Sequence, residues 1–346
     1  MLRVATDRSC WPRDLPLTPL LQPLFGERDA RAGVASWDGR FDEYASRAQG
    51  LFDLVPVAEA DVVVLPGDWY WVRGTSWRSR PDRDLVVGVR PLYERALAAG
   101  RPVVAFFSGD RSCDHFPLQH VHVFREGGFR TRNGPLDHAL PAFVEDVVAS
   151  HGDGRFAERP WRPVPTVGFC GLARSKPRWR RAAGLVAYRL AVAARERRID
   201  PSPYLGEVLR AAALEVLEQS PEVTTNFVLR DEKVFFRDAG TGDLDGVRRA
   251  YMDNLRDSDY VLCVRGSGNY SYRLYEAMCM GRVPVVVDTD LALPCGDVID
   301  WSELTVWVEQ GSLRSLAESV AAFHARLGRG GFSALQRRLR QVWLDT

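Results

Sequence analysis

Two α/β domains of Rossmann type, each built on a parallel sheet, are predicted from three observations. The chain has 346 residues, more than one core usually serves. Short valine-rich runs alternate with helical patterns along most of its length, the signature of strands buried on both faces. A proline-dense stretch, "RFAERPWRPVP" at 155–165, interrupts that alternation near the middle. Prolines at this density exclude a helix interior and mark a linker.

In the first half the strands are "LRVA", "ADVVVLP", "RPVVAFF" and "HVHVF", beginning at Leu2, Ala60, Arg101 and His120. "FDEYASRAQGLF" and "VRPLYERALAAG" repeat apolar residues at three-and-four spacing, and Gly100 is placed to end the second helix. After the linker come strand "TVGFC", a helix from about Trp179, and a helix from Tyr204 to about Gln219. Strand "TTNFVL", helix "LDGVRRAYMDNLRDS", strand "DYVLCV", a glycine loop with a helix, and strand "VPVVV" follow. Two amphipathic helices, near 313–327 and 332–343, close the chain. The expected division is 1–158 and 159–328, with a C-terminal helix at 329–346 that could pack back on the first domain. Ligands of such sheets bind beyond the C-terminal strand ends.

Composition sets limits. The chain is 46% hydrophobic and 26% charged, with a net charge of +1. No global field therefore draws it to nucleic acid. The basic residues are nearly all arginine, so a single arginine is weak evidence for a phosphate site. The six cysteines are scattered without a CxxC pair, which argues against a zinc knuckle or a disulfide framework. The histidines show no zinc-ligand pattern. No apolar run reaches the roughly 20 residues of a membrane span, and "MLRVATDRSC" lacks the apolar core of a signal peptide. The expectation is a soluble, cytoplasmic protein.

The chemistry is densest in "RGSGNYSYRLYEAMCMG", from Arg265 to Gly281. Gly266 and Gly268 allow close backbone approach, and Ser271 is an N-cap candidate. The first-turn amides then form an anion site. Arg273 stands in that first turn, where a cation opposes the helix dipole by roughly 0.3–1 kcal/mol unless an anion binds. Arg273 and Glu276 share a helix face. An arginine beside a carboxylate suits a nucleoside diphosphate, phosphate on the first and ribose on the second. Read locally, the same residues are equally a surface ion pair worth roughly 0.2–0.5 kcal/mol.

Between Arg248 and Glu309 the chain resembles the exostosin family, glycosyltransferase family 47. The elements that carry the resemblance are Arg265-Gly266, Ser271, Arg273, Glu276-Ala277, Gly281, Pro284-Val285, Leu293-Pro294 and Ile299-Asp300-Trp301. Val264 departs from the pattern, which commonly has proline before the turn. The resemblance implies a GT-B fold, two Rossmann-like domains facing across a cleft. It also implies transfer of a sugar, usually from a UDP-sugar, with inversion at the anomeric carbon. The C-terminal domain would hold the nucleotide, with Arg265, Gly266, Ser271, Tyr272, Arg273 and Glu276 at the donor. Glu276 would take the ribose, while Arg273 and Arg265 would neutralise the diphosphate. In "GFCGLARSKPRWRR", Gly171, Arg174 and Lys176 are further donor contacts, or else part of a solvated basic run. No metal is expected, because arginines and a helix N-terminus balance the diphosphate; this includes the DxD-like Asp288–Asp290. No cofactor is expected beyond the donor itself.

An inverting transfer needs a base for the acceptor hydroxyl, worth about 10²–10⁴-fold. Candidates from the first domain are Asp68, Asp110, Asp114 and His115, each also placed to be a turn or capping residue. Trp69, Tyr70, Trp71 and Trp77 crowd one loop and suit a sugar or aromatic acceptor, or alternatively a small satellite core. Expected partners are a nucleotide sugar and a glycan, lipid-linked glycan or small-molecule acceptor. A homo-oligomer or a paired transferase is left open. Rival readings are a non-catalytic exostosin-like subunit and a fucosyltransferase-like enzyme using a GDP-sugar. Retention of both Arg273 and Glu276 weighs against the first, and "DVIDW" against the second.

Overall fold

The computed structural model describes residues 1–27, 41–74, 81–151, 154–173, 177–194, 205–230 and 244–346. The chain divides into two compact units, and it passes from the first to the second between Leu140 and Pro141.

The first unit runs β1 (Leu2–Ala5), α1 (Asp42–Leu51), β2 (Phe52–Leu54), β3 (Val62–Val64), α2 (Trp69–Arg73), α3 (Arg83–Ala98), β4 (Val103–Phe107), β5 (Val121–Arg125) and β6 (Asp137–Ala139). Its sheet has the order β2-β1-β3-β4-β5-β6, with every pairing parallel. Helix α3 begins where Asp82 accepts from the amides of Asp84 (3.0 Å) and Leu85 (3.3 Å), which satisfies two orphan donors. It ends before Gly100, whose φ of +64° only glycine adopts cheaply. Its Val89, Leu92 and Ala96 are buried with Val63, Val103, Ala105 and Phe107 of the sheet in one core. The edge strands β2 and β6 were not expected. "FDL" and "DHA" carry little apolar pattern and join the sheet through backbone pairing.

On β5 and β6, His122 and His138 stack with ring centroids 5.3 Å apart, Nδ1 of the first 3.0 Å from Nε2 of the second. Burial, then the neighbouring His122, holds the His138 pKa below that of a free imidazole. The folded state therefore resists protonation there. Stability is complete above the unfolded value of about 6.5 and is lost as pH falls through the lower folded value. A melting temperature that drops below about pH 6.5 is expected. His138→Phe should weaken that dependence; an unchanged pH profile in the variant would contradict it.

The second unit runs α4 (Val147–Ser150), β7 (Thr166–Leu172), α5 (Arg178–Ala194), α6 (Leu205–Gln219), β8 (Thr224–Arg230), α7 (Leu244–Arg256), β9 (Tyr260–Cys263), α8 (Tyr272–Cys279), β10 (Val283–Asp288), α9 (Trp301–Leu304), β11 (Val306–Glu309) and α10 (Leu316–Asp345). The two expected terminal helices are one arm, α10, broken at Gly328 (φ 57°, ψ −170°). Its Phe332, Leu335 and Leu339 are buried in this unit's core. The proline-rich stretch also packs inside this unit. Phe156 lies where a Cβ on Gly281 would stand 2.6 Å away, and Arg159 Nε meets Asp259 Oδ1 at 3.0 Å. Prolines exclude a helix but leave carbonyls free to accept, and Ala157 O takes Arg282 Nη2 at 2.9 Å.

The second sheet has the order β11-β10-β9-β7-β8, again all parallel. From β7 the chain moves one way to β8, then crosses back to β9 and continues to β10 and β11. The direction reverses between β7 and β9. Their registered pairing stops at Gly168 and Val261, and open α/β sheets bind ligands beyond the strand ends at such a reversal.

Candidate functional site

Four segments converge at that reversal point. β7 ends in Gly171-Leu172, and β9 runs into Val264-Arg265-Gly266. α8 contributes Arg273 and Glu276, while α6 contributes Gly206 and Arg210. Arg273 reaches back from the first turn of α8, and its Nη2 donates to Cys170 O at 2.8 Å. Its guanidinium lies 4.4 Å from the Phe169 ring centroid, a cation–π contact. A Cβ at residue 171 would stand 2.4 Å from that Nη2, so only glycine leaves Arg273 this path. The cation thus moves away from the α8 amides toward the carbonyl edge of the strands.

Arg210 is buried. Its Nη1 donates to Leu172 O (2.6 Å) and its Nη2 to Arg265 O (3.3 Å), so one side chain ties the two strand ends together. Burial, then the nearby Arg273 charge, pushes its pKa down to about 10. Gly206 allows α6 to start against this loop: a Cβ there would lie 2.4 Å from Arg265 O and 2.5 Å from Gly266 O. Arg265, also buried, donates from Nη2 to Ser267 O at 2.8 Å. The Nε groups of Arg210, Arg230 and Arg273 are buried without a hydrogen-bond acceptor among the described residues.

Glu276 is held by Tyr251 of α7, whose hydroxyl donates to Oε2. Burial, then the Glu276 charge, raises the Tyr251 pKa well above that of a free phenol, so the hydroxyl stays a donor. Asn269 is fully buried, and its Nδ2 donates to Thr289 O (3.3 Å) and Asp290 O (3.2 Å). It pins the glycine loop to the end of β10. Gly266 faces open space: a Cβ there would meet no atom within 4 Å.

Of the expected donor residues, Arg265, Gly266, Arg273, Glu276 and Gly171 come together here. Ser271 occupies the N-cap position with extended backbone, but its side chain makes no capping hydrogen bond. Tyr272 is half-buried and sits edge-on to Tyr270 at 5.4 Å. Arg174 and Lys176 lie outside the described residues, as does Trp77. Arg210, Arg230, Tyr251 and Asn269 were missed. Arg210 left one signal, since it stands in register with Gly206, Ala213, Leu214 and Leu217 on the buried stripe of an amphipathic helix.

The first unit's candidates separate by exposure. Asp68 is 4% exposed, and its Oδ1 accepts from Tyr70 N (2.8 Å) and Ser108 N (3.0 Å). It caps α2. Asp114 pairs with Arg73 and with Arg111. Asp110 and His115 are exposed. Trp69 is 2% exposed and packs on Phe116 at 4.2 Å, so it offers a ligand no face. The Asp68 cap fixes where α2 starts, and that turns Trp69 inward. Tyr70 and Trp71 remain half-buried, edge to face at 5.3 Å. Asp288 spends both oxygens on the fold, Oδ1 on Leu291 N and Oδ2 on Trp307 Nε1, each at 3.0 Å.

The comparisons with known proteins fall on the same segment. Residues 190–323 match the family model for the Exostosin GT47 domain. That match covers 134 of the 346 residues, and within it the chain is similar to exostosin GT47 domains. Every residue of the basic site except Gly171 and its β7 neighbours lies within the match. Two α/β units with separate parallel sheets are also the composition that the GT-B resemblance implies. A probable glucuronosyltransferase of Oryza sativa subsp. japonica is 35% identical over 66 residues, 19% of this chain and 16% of that protein. A probable beta-1,4-xylosyltransferase of Arabidopsis thaliana is 33% identical over 66 residues, 19% of this chain and 16% of that protein. The match thus spans about a sixth of these relatives. A solute-binding protein of Conexibacter woesei aligns over 99% of this chain and 95% of its own, at 11% identity and a TM-score of 0.25. The family's Leu-Pro and Ile-Asp-Trp elements form one clasp here. Trp301 Nε1 donates to Pro294 O (2.8 Å), and Asp300 caps α9 through Ser302 N (3.0 Å).

Proposed function

We propose that the chain is a glycosyltransferase whose second unit binds the diphosphate of a nucleotide sugar where β7 and β9 diverge. The observation that carries this reading is the convergence of Arg210, Arg265 and Arg273 at one sheet edge inside the segment that matches the GT47 model. Arg210 and Arg273 repel each other there, and a diphosphate bound at that edge would relieve the repulsion. As the sugar leaves, negative charge grows on the diphosphate. Preorganised guanidiniums stabilise that charge more than they stabilise the intact donor. Glu276, oriented by Tyr251, is the acceptor for ribose hydroxyls. We read the donor as a UDP-sugar and the transfer as a metal-independent inverting displacement by an acceptor hydroxyl. The acceptor is a glycan, a lipid-linked glycan or a small molecule.

A thermal-denaturation panel with UDP, GDP and dTDP, each with EDTA, tests the donor site. UDP should raise the melting temperature most; equal shifts from all three, or none, would defeat the donor assignment. For the proton acceptor we favour the two exposed candidates. Asp110→Asn or His115→Ala should lower kcat by about 10²–10⁴-fold while leaving UDP stabilisation intact. Wild-type turnover in both variants would move the base elsewhere.

A further inference from the structure

The helix α5 exposes an apolar face that the donor chemistry does not use. Trp179, Val186 and Leu190 are 67%, 56% and 66% exposed. With exposed Ala182, Ala183 and Ala193 they recur at three- and four-residue spacing, so they form one stripe along the helix. Gly184 and Leu185, on the opposite side, are half-buried. Arg180 and Arg189 are exposed and flank the stripe on its two sides; the Arg180 guanidinium lies 5.1 Å from the Trp179 ring centroid. The helix sequence contains four arginines and no acidic residue, in a chain whose 46 basic and 45 acidic side chains nearly cancel.

We propose that this face docks on the surface of an anionic lipid bilayer. An apolar stripe bordered by arginines matches a bilayer interface. The stripe sinks about 5–10 Å into the headgroup boundary while the guanidiniums meet lipid phosphates. The exposed indole of Trp179 is an amphipathic ring of the kind that favours that depth. A second copy of the chain fits less well, because a two-fold pairing of this face sets arginine against arginine. The inference is independent of the donor reading: a helix on the bilayer surface brings the catalytic unit to any acceptor held there, whatever the nucleotide.

The test is co-sedimentation of the whole chain with vesicles. One set is phosphatidylcholine alone, and the other is phosphatidylcholine mixed with phosphatidylglycerol. Binding is expected to the anionic set only. It should weaken as salt rises, since the Debye length shrinks from about 10 Å at 0.1 M to about 3 Å at 1 M. Val186→Ser combined with Leu190→Ser, and separately Arg180→Gln combined with Arg189→Gln, should each lower the bound fraction about tenfold. All four side chains are exposed, so melting temperature and UDP stabilisation should stay at wild-type values in both variants. Equal binding to neutral vesicles, or variants that bind as wild type, would overturn the proposal. So would a dimer in solution that the Val186/Leu190 variant converts to monomer, or capture by an acidic protein partner with no vesicle binding. Loss of UDP stabilisation in wild type would instead strike the donor reading and leave this one standing.

Discussion

Arg273→Ala should abolish the UDP-induced rise in melting temperature and lower kcat/KM by about 10²–10³-fold, the loss typical of one preorganised charge-stabilising donor. The guanidinium is fixed from two sides, by Cys170 O at 2.8 Å and by the Phe169 ring at 4.4 Å. Such a group needs no reorganisation when charge develops on the leaving diphosphate. Nucleotide-free stability should hold or rise slightly in the variant, because the neighbouring Arg210 loses a like charge that now depresses its pKa. That combination, ligand response gone and fold intact, separates a binding role from a structural one. Arg273→Lys should recover little, since an ammonium offers neither the planar stack on Phe169 nor a two-pronged contact with phosphate. Gly171→Ala offers a second route to the same end, because its Cβ would occupy the space 2.4 Å from Nη2. If UDP stabilises the alanine variant as it does wild type, Arg273 is not in the donor site.

Sequence reasoning recovered what local pattern encodes. β4, β9 and β10 are legible because strands buried on both faces must be continuous apolar runs. Arg273 and Glu276 are legible because three-residue spacing on a helix fixes a shared face whatever lies around it. β2 and β6 are not, since an edge strand of three residues is defined by its partner's backbone rather than by its own side chains. Arg210 acquires its role only when α6 is laid against two strand ends, one of them 55 residues away. The proline-rich stretch misled for the same reason. Its identity as a packed strap depends on Gln336, whose Oε1 accepts from Arg159 N at 2.7 Å across 177 residues. Trp69 shows the opposite failure. Its local context suggests an exposed aromatic loop, but one capping carboxylate, Asp68, converts the loop into a helix and turns the indole into the core.

The same strap sets the largest expected effect on stability. Arg282 is 1% exposed, with Nη1 donating to Gln336 Oε1 and Nη2 to Ala157 O, each at 2.9 Å. It holds α10 and the 155–165 strap to the start of β10 in one stroke. Its charge is kept at a cost, because burial and then the Arg159 charge lower its pKa to about 10. Arg282→Ala removes one donor from the buried Gln336 Oε1, which keeps the Arg159 amide, and one from Ala157 O, and it leaves a cavity, losses that together cost about 2–5 kcal/mol. For a unit of this size that corresponds to a melting temperature lower by about 10 °C. Arg282→Met should cost less than half as much, since a thioether chain fills the space and no charge has to be desolvated. The ordering is what discriminates. If the guanidinium merely fills space, methionine should match wild type and alanine should show only a cavity cost. If its two hydrogen bonds fasten α10, both variants should become sensitive to proteolysis within 329–346 before the rest of the unit melts. An alanine variant that melts with wild type in one transition would show that this fastening adds nothing to the fold.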